Sequence, residues 1–297
     1  MKRWDYRKVP KDIPESGLRT ATKMTSDNSR LPIGTSGLGV LDVSINAART
    51  AGKIVKERFL TEKEINYKGW ANVVTDVDLE SEKIIVDILN TNFPGFSILA
   101  EESEPITNDS DYTWVVDPID GTRNFAGGIP HFCIVVALAK GSEIVAGVTY
   151  DPIRDELFTA EQGQGAFLNG TRLQITKQTN VLESLMGFDM GYVGEKATLA
   201  LDLIRHIWPN MQGIRLMGSS ALGLAYSAAS RLDIYFHHSL SPWDIASGLL
   251  IVKEAGGIVT DKQGNPADLY TPSIIASNPL VVADFLKITD GLAWRND

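Results

Sequence analysis

The chain has 297 residues and a net charge of −9 at pH 7, with 43% hydrophobic and 22% charged residues. This composition is typical of a globular protein with enough apolar material for a large core. The single cysteine, Cys133, excludes an internal disulfide and zinc sites of the CxxC type, and the acidic balance makes nucleic acid an unfavourable partner, because a phosphate backbone repels like charge.

The charge is unevenly distributed along the chain. Residues 1–30 carry eight basic and four acidic side chains, whereas the remainder carries 20 basic and 33 acidic ones. Prolines, Ser/Thr residues and the lack of hydrophobic periodicity predict a flexible basic arm over 1–37. The sequence has no apolar signal-peptide core and no apolar run of the roughly 18–20 residues that a membrane span needs. We therefore expect a cytoplasmic protein without a membrane partner.

Helical periodicity begins near residue 38, where Leu41, Ile45 and Ala48 share one face. A short extended segment is predicted over 65–75, and a second helix over 77–92 ends at Pro94-Gly95. Alternating and β-rich segments then predict strands over 96–100, 113–117, 132–139, 143–150, 155–160 and 165–175. We expect turns at 140–142 and at Asn169-Gly170, a pair that favours tight hairpins.

After about residue 180 the pattern changes to alternating strands and helices. The predicted strands are 184–188, 214–217, 232–236, 257–260 and 273–277, and the predicted helices are 195–207, 219–230, 243–255 and 279–288. We therefore divide the body of the chain into an N-terminal α+β half, 38–180, and a C-terminal α/β half, 181–297. The fold class is mixed α and β, with layered sheets and helices.

Several common catalytic motifs are missing from the sequence. There is no P-loop, no complete dinucleotide fingerprint, no HExxH and no GxSxG elbow, and the Asp pairs do not have EF-hand spacing. These absences exclude most nucleotide-binding, metalloprotease and serine hydrolase chemistries.

What remains is a set of carboxylates near the ends of predicted elements. Glu101-Glu102 follows one strand, Asp117 and Asp120 follow the next, and Asp244 opens the helix over 243–255. Carboxylates at strand ends can converge on one edge of a crevice, where α/β proteins place their ligand sites.

The hexapeptide 117–122, Asp-Pro-Ile-Asp-Gly-Thr, can support a phosphate site. A turn at Pro118 would let Asp117 and Asp120 point to the same side, and Gly121 would allow a ligand to approach the backbone. Thr122 could cap a following helix, whose free N–H groups favour an anion. Carboxylates facing a phosphate need cations between them, and all-oxygen ligands favour Mg²⁺ or Mn²⁺.

Taken alone, the hexapeptide is equally compatible with ordinary turn residues and an ordinary helix cap. The presence of Glu101-Glu102 and Trp243-Asp244 in the same chain favours the metal-binding interpretation.

Three long strings of the sequence resemble the inositol monophosphatase family, which belongs to the Mg²⁺-dependent, lithium-sensitive phosphatases together with fructose-bisphosphatases and 3′-phosphonucleotide phosphatases. The strings are AEES (100–103), WVVDPIDGTRNF (114–125) and PWDIASGLLIVKEAGG (242–257), supported by Lys68, VVTDVD (73–78) and GAFLNG (165–170). The resemblance runs from about 40 to 290. It implies alternating α–β–α–β–α layers, a homodimer and the hydrolysis of a small-molecule phosphomonoester.

The resemblance also implies a metal centre with two or three Mg²⁺ ions, for which Mn²⁺ could substitute. Glu101, Asp117 and the carbonyl of Ile119 would bind the first ion, and Asp117, Asp120 and Asp244 the second. Asp78, supported by Thr75, would hold a weaker third ion through water. A metal-polarised water, oriented by Glu101 and Thr122, would attack phosphorus in line while the second ion steadies the leaving alkoxide. The N–H groups of Gly121 and Thr122 would hold the phosphate oxygens.

For substrate binding, the resemblance implicates Asp120, Asp244 and the segment Gly218-Ser219-Ser220, although either serine alone could be a simple N-cap. His237 stands where inositol-preferring members carry a Glu that binds ring hydroxyls, and Gly127 replaces a His common in the family. Both departures leave the metal ligands intact and weaken the case for inositol phosphate as the preferred substrate.

Three functional hypotheses follow. The leading one is a phosphatase acting on inositol monophosphate or related sugar phosphates, with fructose 1,6-bisphosphate, histidinol phosphate or a 3′-phosphonucleotide as alternative substrates. The second is a non-catalytic binding or regulatory protein on the same fold, for which a broken metal ligand would be the usual sign. The third is recruitment of RNA or another anionic partner by the basic arm.

Overall fold

The computed structural model describes residues 31–69, 72–191, 194–208 and 211–296. The helices within these ranges are α1 Val40–Arg58, α2 Asp76–Asn92, α3 Thr122–Ala126, α4 Gly194–Ile207, α5 Ser220–Ala228, α6 Pro242–Glu254, α7 Pro279–Ile288 and α8 Ala293–Asn296. The strands are β1 Ile65–Gly69, β2 Asn72–Thr75, β3 Ser97–Ala100, β4 Tyr112–Asp120, β5 Cys133–Lys140, β6 Glu143–Asp151, β7 Glu156–Glu161, β8 Gly165–Leu168, β9 Thr171–Arg172, β10 Leu185–Phe188, β11 Gly213–Leu216, β12 Ile234–His237, β13 Ile258–Thr260 and β14 Ile274–Ser277.

Among the described residues, two large sheets form the framework. The first sheet has seven strands in the order β3-β4-β5-β6-β7-β8-β9 and is antiparallel except for the parallel pair β3–β4. The second has the order β11-β10-β12-β14-β13, with β10 parallel to both of its neighbours. The strands β1 and β2 form a separate antiparallel hairpin, and we call this pair the lysine hairpin because it carries Lys68.

In the described part of the chain, three apolar clusters fill the spaces between helices and sheets. One packs α1 and α2 against the first sheet, a second packs α5 and α6 between the two sheets, and a third packs α4, α7 and α8 against the far face of the second sheet. The predicted α–β–α–β–α layering is therefore confirmed. Because both faces of the first sheet are covered, Cys133–Ala139 in β5 is buried without interruption, as expected for a strand with an unbroken apolar sequence.

Local signals in the sequence explain where several helices begin. Thr75 caps α2 and forms a capping box with Asp78, Ser241 does the same for α6 with Asp244, and Asn278 caps α7. Proline occupies the first turn of both α6 and α7, where its missing N–H leaves no hydrogen bond unmade. Two of the predicted site carboxylates, Asp78 and Asp244, are thus positioned by helix capping.

The sequence-predicted turns agree with the structure at two hairpins. Lys140 pairs with Glu143 across the β5–β6 turn. Asn169 and Gly170 have φ values of 48° and 79° and join β8 to β9, so the predicted strand over 165–175 divides into two. The division of the chain near residue 180 stays a prediction.

Two predictions need correction and one falls outside the described chain. Residues 33–37, assigned to the flexible arm, instead form a turn held at the end of α2, where Thr35 N–H donates to Asn92 O (2.9 Å) and Thr35 Oγ1 donates to Thr91 O (2.9 Å). The strand predicted over 113–117 extends to Asp120, so Asp117 and Asp120 belong to β4. The basic residues 1–30 of the arm lie outside the described residues. No helix in the described part of the chain is both long and apolar enough to cross a membrane.

Candidate metal centre

The end of β4 carries Asp117 and Asp120 on the same face because the strand contains a bulge. Asp117 pairs with Val135 and Asp120 pairs with Cys133, so β4 advances three residues while β5 advances two. In a regular strand, residues three apart point to opposite faces. The extra residue, within Pro118-Ile119, restores the parity and brings both carboxylates to one side. A β-bulge, and not the predicted turn at Pro118, therefore places the two carboxylates on the same side.

Asp244 joins these two carboxylates from the first turn of α6. Ligand oxygens of Asp117, Asp120 and Asp244 lie within 4.8 Å of one another, and we call these three residues the carboxylate trio. α6 can lie this close to the first sheet because Gly147 leaves room for the backbone of Ser247. A hydrogen bond of 2.7 Å between Thr149 Oγ1 and Ser247 Oγ fixes the contact.

Each member of the carboxylate trio accepts backbone hydrogen bonds that set its orientation. Ile119 N–H donates to Asp117 Oδ1 (3.0 Å), and Ser241 N–H donates to Asp244 Oδ2 (2.6 Å). Asp120 lies at the N-terminus of α5 and accepts from the N–H groups of Ser220 (3.2 Å) and Ala221 (2.8 Å).

Side chains add to the environment of Asp120. The Ser219 hydroxyl donates to Asp120 Oδ2, and the buried Cys133 thiol lies 3.7 Å from the same oxygen. Ser219 is also the N-cap residue of α5, where its Oγ accepts from Leu222 N–H (3.4 Å). The serine that the resemblance assigned to substrate is thus engaged with both the helix and Asp120.

A second set of groups links α2 to the trio. Asp78 is buried and accepts from Thr75 N–H (2.9 Å), Thr75 Oγ1 (2.5 Å) and Thr122 Oγ1 (3.2 Å). The single Thr122 hydroxyl proton is shared with a second acceptor, the carbonyl of Ile119, which lies 3.0 Å from Oγ1. Thr75, Asp78, Ile119 and Thr122 therefore form one connected hydrogen-bond network beside the trio.

The predicted capping role of Thr122 is wrong. The N-cap of α3 is Gly121, which has a φ of 97°, and Thr122 is the first residue of this five-residue helix. A Cβ built on Gly121 would lie 2.9 Å from Gly218 O, so glycine is needed here both for its backbone conformation and for the close approach. The Thr122 hydroxyl turns towards Asp78 because the left-handed glycine displaces it from the cap position.

Glu101 and Glu102 follow β3 and meet the lysine hairpin. Lys68 Nζ lies 3.0 Å from Glu101 Oε1 and 2.6 Å from Glu102 Oε1, so one ammonium group joins two adjacent carboxylates. Glu102 N–H donates to the buried Glu82 carboxylate (2.7 Å). Glu101 is close enough to Asp78 and Asp120 that their charges help to raise its pKa.

The electrostatics of the trio favour a bound cation. Burial and mutual repulsion raise the pKa of Asp117 and of Asp244 well above the ordinary range, and burial also raises that of Asp120. Burial raises the pKa of Asp78 to about 6 and that of Glu102 to about 7. Backbone N–H groups orient these carboxylates but do not neutralise them. A hard divalent cation would do so, and the all-oxygen donor set is the kind that Mg²⁺ and Mn²⁺ prefer.

The remaining predicted site residues lie on the second half of the chain, except Gly127, which ends α3. Gly218 and Ser220 are at the start of α5, and Gly218 N–H donates to Asp189 Oδ1 (2.6 Å). His237 ends β12, where its Nδ1 accepts from Ser239 N–H (3.2 Å). Burial lowers the His237 pKa to about 3, so this imidazole is neutral.

Two further residues, which the sequence patterns did not single out, contact this region. Asn124 donates to the carbonyls of His131 (2.7 Å) and Met217 (3.1 Å) and so fastens α3 to the turn before α5. Asp189 directly follows β10 and accepts from Gly218 N–H. Its position just beyond a predicted strand is the same signal that drew attention to Asp117, and it could have been found in that way.

Comparison with known proteins gives a consistent result. The sequence model of the inositol monophosphatase family matches residues 39–290. The chain is 36% identical to inositol monophosphatase 1 of Solanum lycopersicum, over 83% of this chain and 93% of that protein. It is 39% identical to the Nus factor SuhB of Salmonella typhimurium, over 83% of this chain and 94% of that protein.

Solved structures give the same fold. The extragenic suppressor protein suhB of Bartonella henselae superposes with a TM-score of 0.82 at 38% identity, covering 85% of this chain and 98% of that one. The IMPase of Thermotoga maritima superposes with a TM-score of 0.79 at 36% identity, covering 85% and 97%.

Proposed function

Because this chain belongs to the inositol monophosphatase family, and is therefore a phosphatase of a metal-dependent family, we propose that it is a Mg²⁺-dependent phosphomonoesterase acting on inositol monophosphate or a related sugar phosphate. The observation that carries the proposal is the carboxylate trio, whose oxygens lie within 4.8 Å of one another, with Asp117 and Asp120 buried and Asp244 half-buried. The trio accepts hydrogen bonds from backbone N–H groups, which carry no net charge and therefore do not neutralise the three carboxylates. A phosphate ester could approach it only with cations present.

The proposed ligands divide between two ions. Glu101, Asp117 and the carbonyl of Ile119 would hold one, and Asp117, Asp120 and Asp244 the other, with Asp78 supporting a third through water. When bound, the ions supply Lewis-acid polarisation of a water and of the leaving oxygen. Mn²⁺ is the proposed substitute for Mg²⁺, since it accepts the same oxygen donors.

The chain's own groups would position the reactants. Glu101 and Thr122 would orient the attacking water, since the Thr122 hydroxyl is held by Asp78 and the Ile119 carbonyl. Thr75 in turn holds Asp78 from the other side. The backbone N–H groups of Gly121 and Thr122 would bind phosphate oxygens, which develop charge in the transition state.

Substrate selection is proposed for Gly218, Ser219, Ser220 and His237, together with Asp120 and Asp244. His237 is neutral, and its Nδ1 is occupied as an acceptor. Its Nε2 would therefore carry the proton and act as a hydrogen-bond donor towards a substrate oxygen. This is a different recognition chemistry from that of a carboxylate at the same position, and it broadens the candidate substrates to other small phosphomonoesters.

The test is phosphate release from a panel of substrates with and without Mg²⁺. The panel contains inositol monophosphates, fructose 1,6-bisphosphate, histidinol phosphate and a 3′-phosphonucleotide. We expect turnover that requires Mg²⁺ and is highest for inositol monophosphate or a sugar phosphate. Asp120→Asn should abolish this turnover. Asp233→Asn should not, because Asp233 lies outside the trio. Equal turnover of all substrates would defeat the narrow assignment, and unchanged activity of Asp120→Asn would defeat the catalytic one.

The second candidate function is a regulatory role on the same fold. The observation that favours it is the similarity to proteins named Nus factor SuhB. Among the described residues every proposed metal-binding carboxylate is present, which favours catalysis. A partner interaction that persists in an Asp120→Asn variant without phosphatase activity would support the regulatory role.

We further propose a cytoplasmic homodimer. Support for the compartment comes from the buried, unpaired thiol of Cys133, and support for the dimer comes from the family resemblance. Sedimentation of the purified protein at micromolar concentration should give twice the chain mass of 32.4 kDa.

A further inference from the structure

Asp189 is a buried carboxylate that connects two elements of the second sheet. It directly follows β10 and is only 6% exposed. Its Oδ1 accepts from Gly218 N–H (2.6 Å), and its Oδ2 accepts from Tyr235 O–H (2.8 Å). One side chain thus joins β12, which carries Tyr235, to the turn between β11 and α5.

The Gly218 turn leads directly to Asp120. Gly218 has a φ of 72°, and Asn124 Nδ2 donates to its carbonyl (3.2 Å). The next three residues supply three donors to the Asp120 carboxylate, namely Ser219 Oγ, Ser220 N–H and Ala221 N–H. The position of the Gly218 peptide therefore sets the position of every one of these donors.

Tyr235 also fixes the body of α5. A Cβ built on Gly223 would overlap the Tyr235 ring, so this ring lies directly against the helix backbone. The ring holds one face of α5, while its hydroxyl, through Asp189, holds the turn at the N-terminus of the helix. Both contacts act on the element that orients Asp120.

Packing alone does not explain a carboxylate at this position. Burial raises the Asp189 pKa to about 7, and the nearby charge of Asp120 adds to that effect. An apolar side chain of similar size would avoid this destabilisation. It would, however, leave the Gly218 N–H and the Tyr235 hydroxyl without their acceptor, and groups that orient metal ligands typically contribute about 10- to 100-fold to metal affinity.

We propose that Asp189 is a positioning residue for the metal centre: it holds the Gly218 peptide and Tyr235, and thereby sets the N-terminus of α5 and the orientation of the Asp120 carboxylate. The inference rests on the proposed function in one respect, because it takes Asp120 to be a metal ligand.

The test measures binding of Mn²⁺ alone, from the loss of the free-ion electron paramagnetic resonance signal and by calorimetry. We expect Asp189→Ala to weaken Mn²⁺ binding about 10- to 100-fold. Asp189→Asn retains an acceptor for Gly218 N–H and a polar partner for Tyr235. Its dissociation constant for Mn²⁺ should therefore stay within about threefold of that of the unmodified protein. In phosphate release, Asp189→Ala should raise the half-saturating Mg²⁺ concentration more than the substrate KM.

Asp233→Ala is the matched control. Asp233 also accepts one backbone N–H, from Leu185 (2.8 Å), and one hydroxyl, from Thr176 (2.5 Å), but at the opposite end of β10. This variant should lose thermal stability without losing Mn²⁺ affinity. If Asp189→Ala does not fold, Tyr235→Phe removes only the hydroxyl that contacts Asp189, and it should weaken Mn²⁺ binding in the same direction.

Three results would overturn the inference. The first is unchanged Mn²⁺ affinity in Asp189→Ala, and the second is an equal loss of affinity in Asp233→Ala. The third is an Asp189→Asn variant that binds Mn²⁺ as weakly as Asp189→Ala, because the loss of affinity would then come from the lost charge and not from lost hydrogen bonds. Failure of the proposed function would give a different result. The unmodified protein would then bind Mn²⁺ but release no phosphate from any substrate in the panel.

Discussion

The carboxylate trio and the lysine hairpin surround the same candidate site but are held in opposite ways. Asp117 and Asp120 are nearly inaccessible to solvent, and backbone N–H groups from β4, α5 and the start of α6 fix the carboxylates of the trio. The lysine hairpin is exposed along the whole of β1. β1 contacts the site through the ionic hydrogen bonds from Lys68 to Glu101 and Glu102, whereas Thr75, at the end of β2, is buried in the hydrogen-bond network around Asp78.

The difference shows how the fold separates two tasks. Backbone donors cannot adjust without moving a helix or a strand, so they suit ligands that must keep a fixed geometry. A long ammonium side chain can exchange partners with little structural cost, so it suits charge compensation that changes when cations or substrate bind. Mutations in the trio should therefore affect metal binding and stability together, whereas mutation of Lys68 should mainly affect the charge state of Glu101 and Glu102.

The largest effect is expected for Asp117→Asn. Asn can still accept the Ile119 N–H, but it removes a charge shared by both proposed ions, so phosphate release should fall by more than about 100-fold, beyond the loss typical of groups that only orient a ligand. At pH 8, the metal-free variant should have a higher melting temperature than the metal-free parent protein, because a buried repulsive charge is gone. Retained Mg²⁺-dependent activity would contradict the assignment of Asp117 as a ligand.

Gly121→Ala should be the next most damaging change. Alanine would have to adopt the left-handed backbone conformation of Gly121, which costs a residue with a Cβ about 1–2 kcal/mol. The added Cβ would also lie 2.9 Å from Gly218 O. Because it would push Gly218 away from Asp120, we expect activity to fall by about 100-fold, as for a misplacement of about 1 Å. Gly163→Ala is the control, since Gly163 also has a positive φ but no atom within 4 Å of its Cβ position. It should lose stability without losing activity.

The metal-free protein should become less stable as the pH rises. A carboxyl group whose pKa is raised on folding stabilises the fold at a pH below its ordinary pKa of about 4. This contribution is lost as the pH rises through the pKa that the group has in the folded protein. The pKa is raised to about 6 for Asp78 and to about 7 for Glu102. The melting temperature in EDTA should therefore fall between pH 5 and pH 8.

Mg²⁺ should reverse this loss, because the ions bind the deprotonated carboxylates. The difference in melting temperature with and without Mg²⁺ should widen with pH. A difference that is constant from pH 5 to pH 8 would argue against carboxylates as the ligands.

The smallest effect is expected for Lys68→Met in the hairpin. Lys68 lowers the pKa of both Glu101 and Glu102, so its loss should raise both values and move the acidic limb of the pH–rate profile upward. Activity should fall by about tenfold or less, and by more at pH 6.5 than at pH 8.5. Stability should also fall, because the loss of Lys68 leaves two carboxylate side chains that are only 18% and 4% exposed without their counter-charge. The exposed Lys56→Met is the control and should leave the profile unchanged.

The sequence predicted the elements well where local chemistry decides them. The amphipathic pattern of α1, the Asn169-Gly170 turn and the apolar run of β5 each depend on neighbours in the chain. It also identified the carboxylates from their positions beside predicted strands and helices. Thr122 was assigned the wrong role because the left-handed conformation of Gly121, which takes over the N-cap, follows from the close approach of Gly218 in another part of the fold.

The amino-acid sequence specifies which groups are available to this protein: most of its helices and strands, the set of acidic side chains and the family resemblance that they carry. How those groups come together depends on packing between distant parts of the chain. Packing of α5 and α6 between two sheets brings Asp244 and the donors of α5 to a bulge in β4, and places Asp189 behind them. The physical reason is that side-chain periodicity is a local property, whereas a bulge, a close helix contact and a shared charge depend on residues about 100 positions apart.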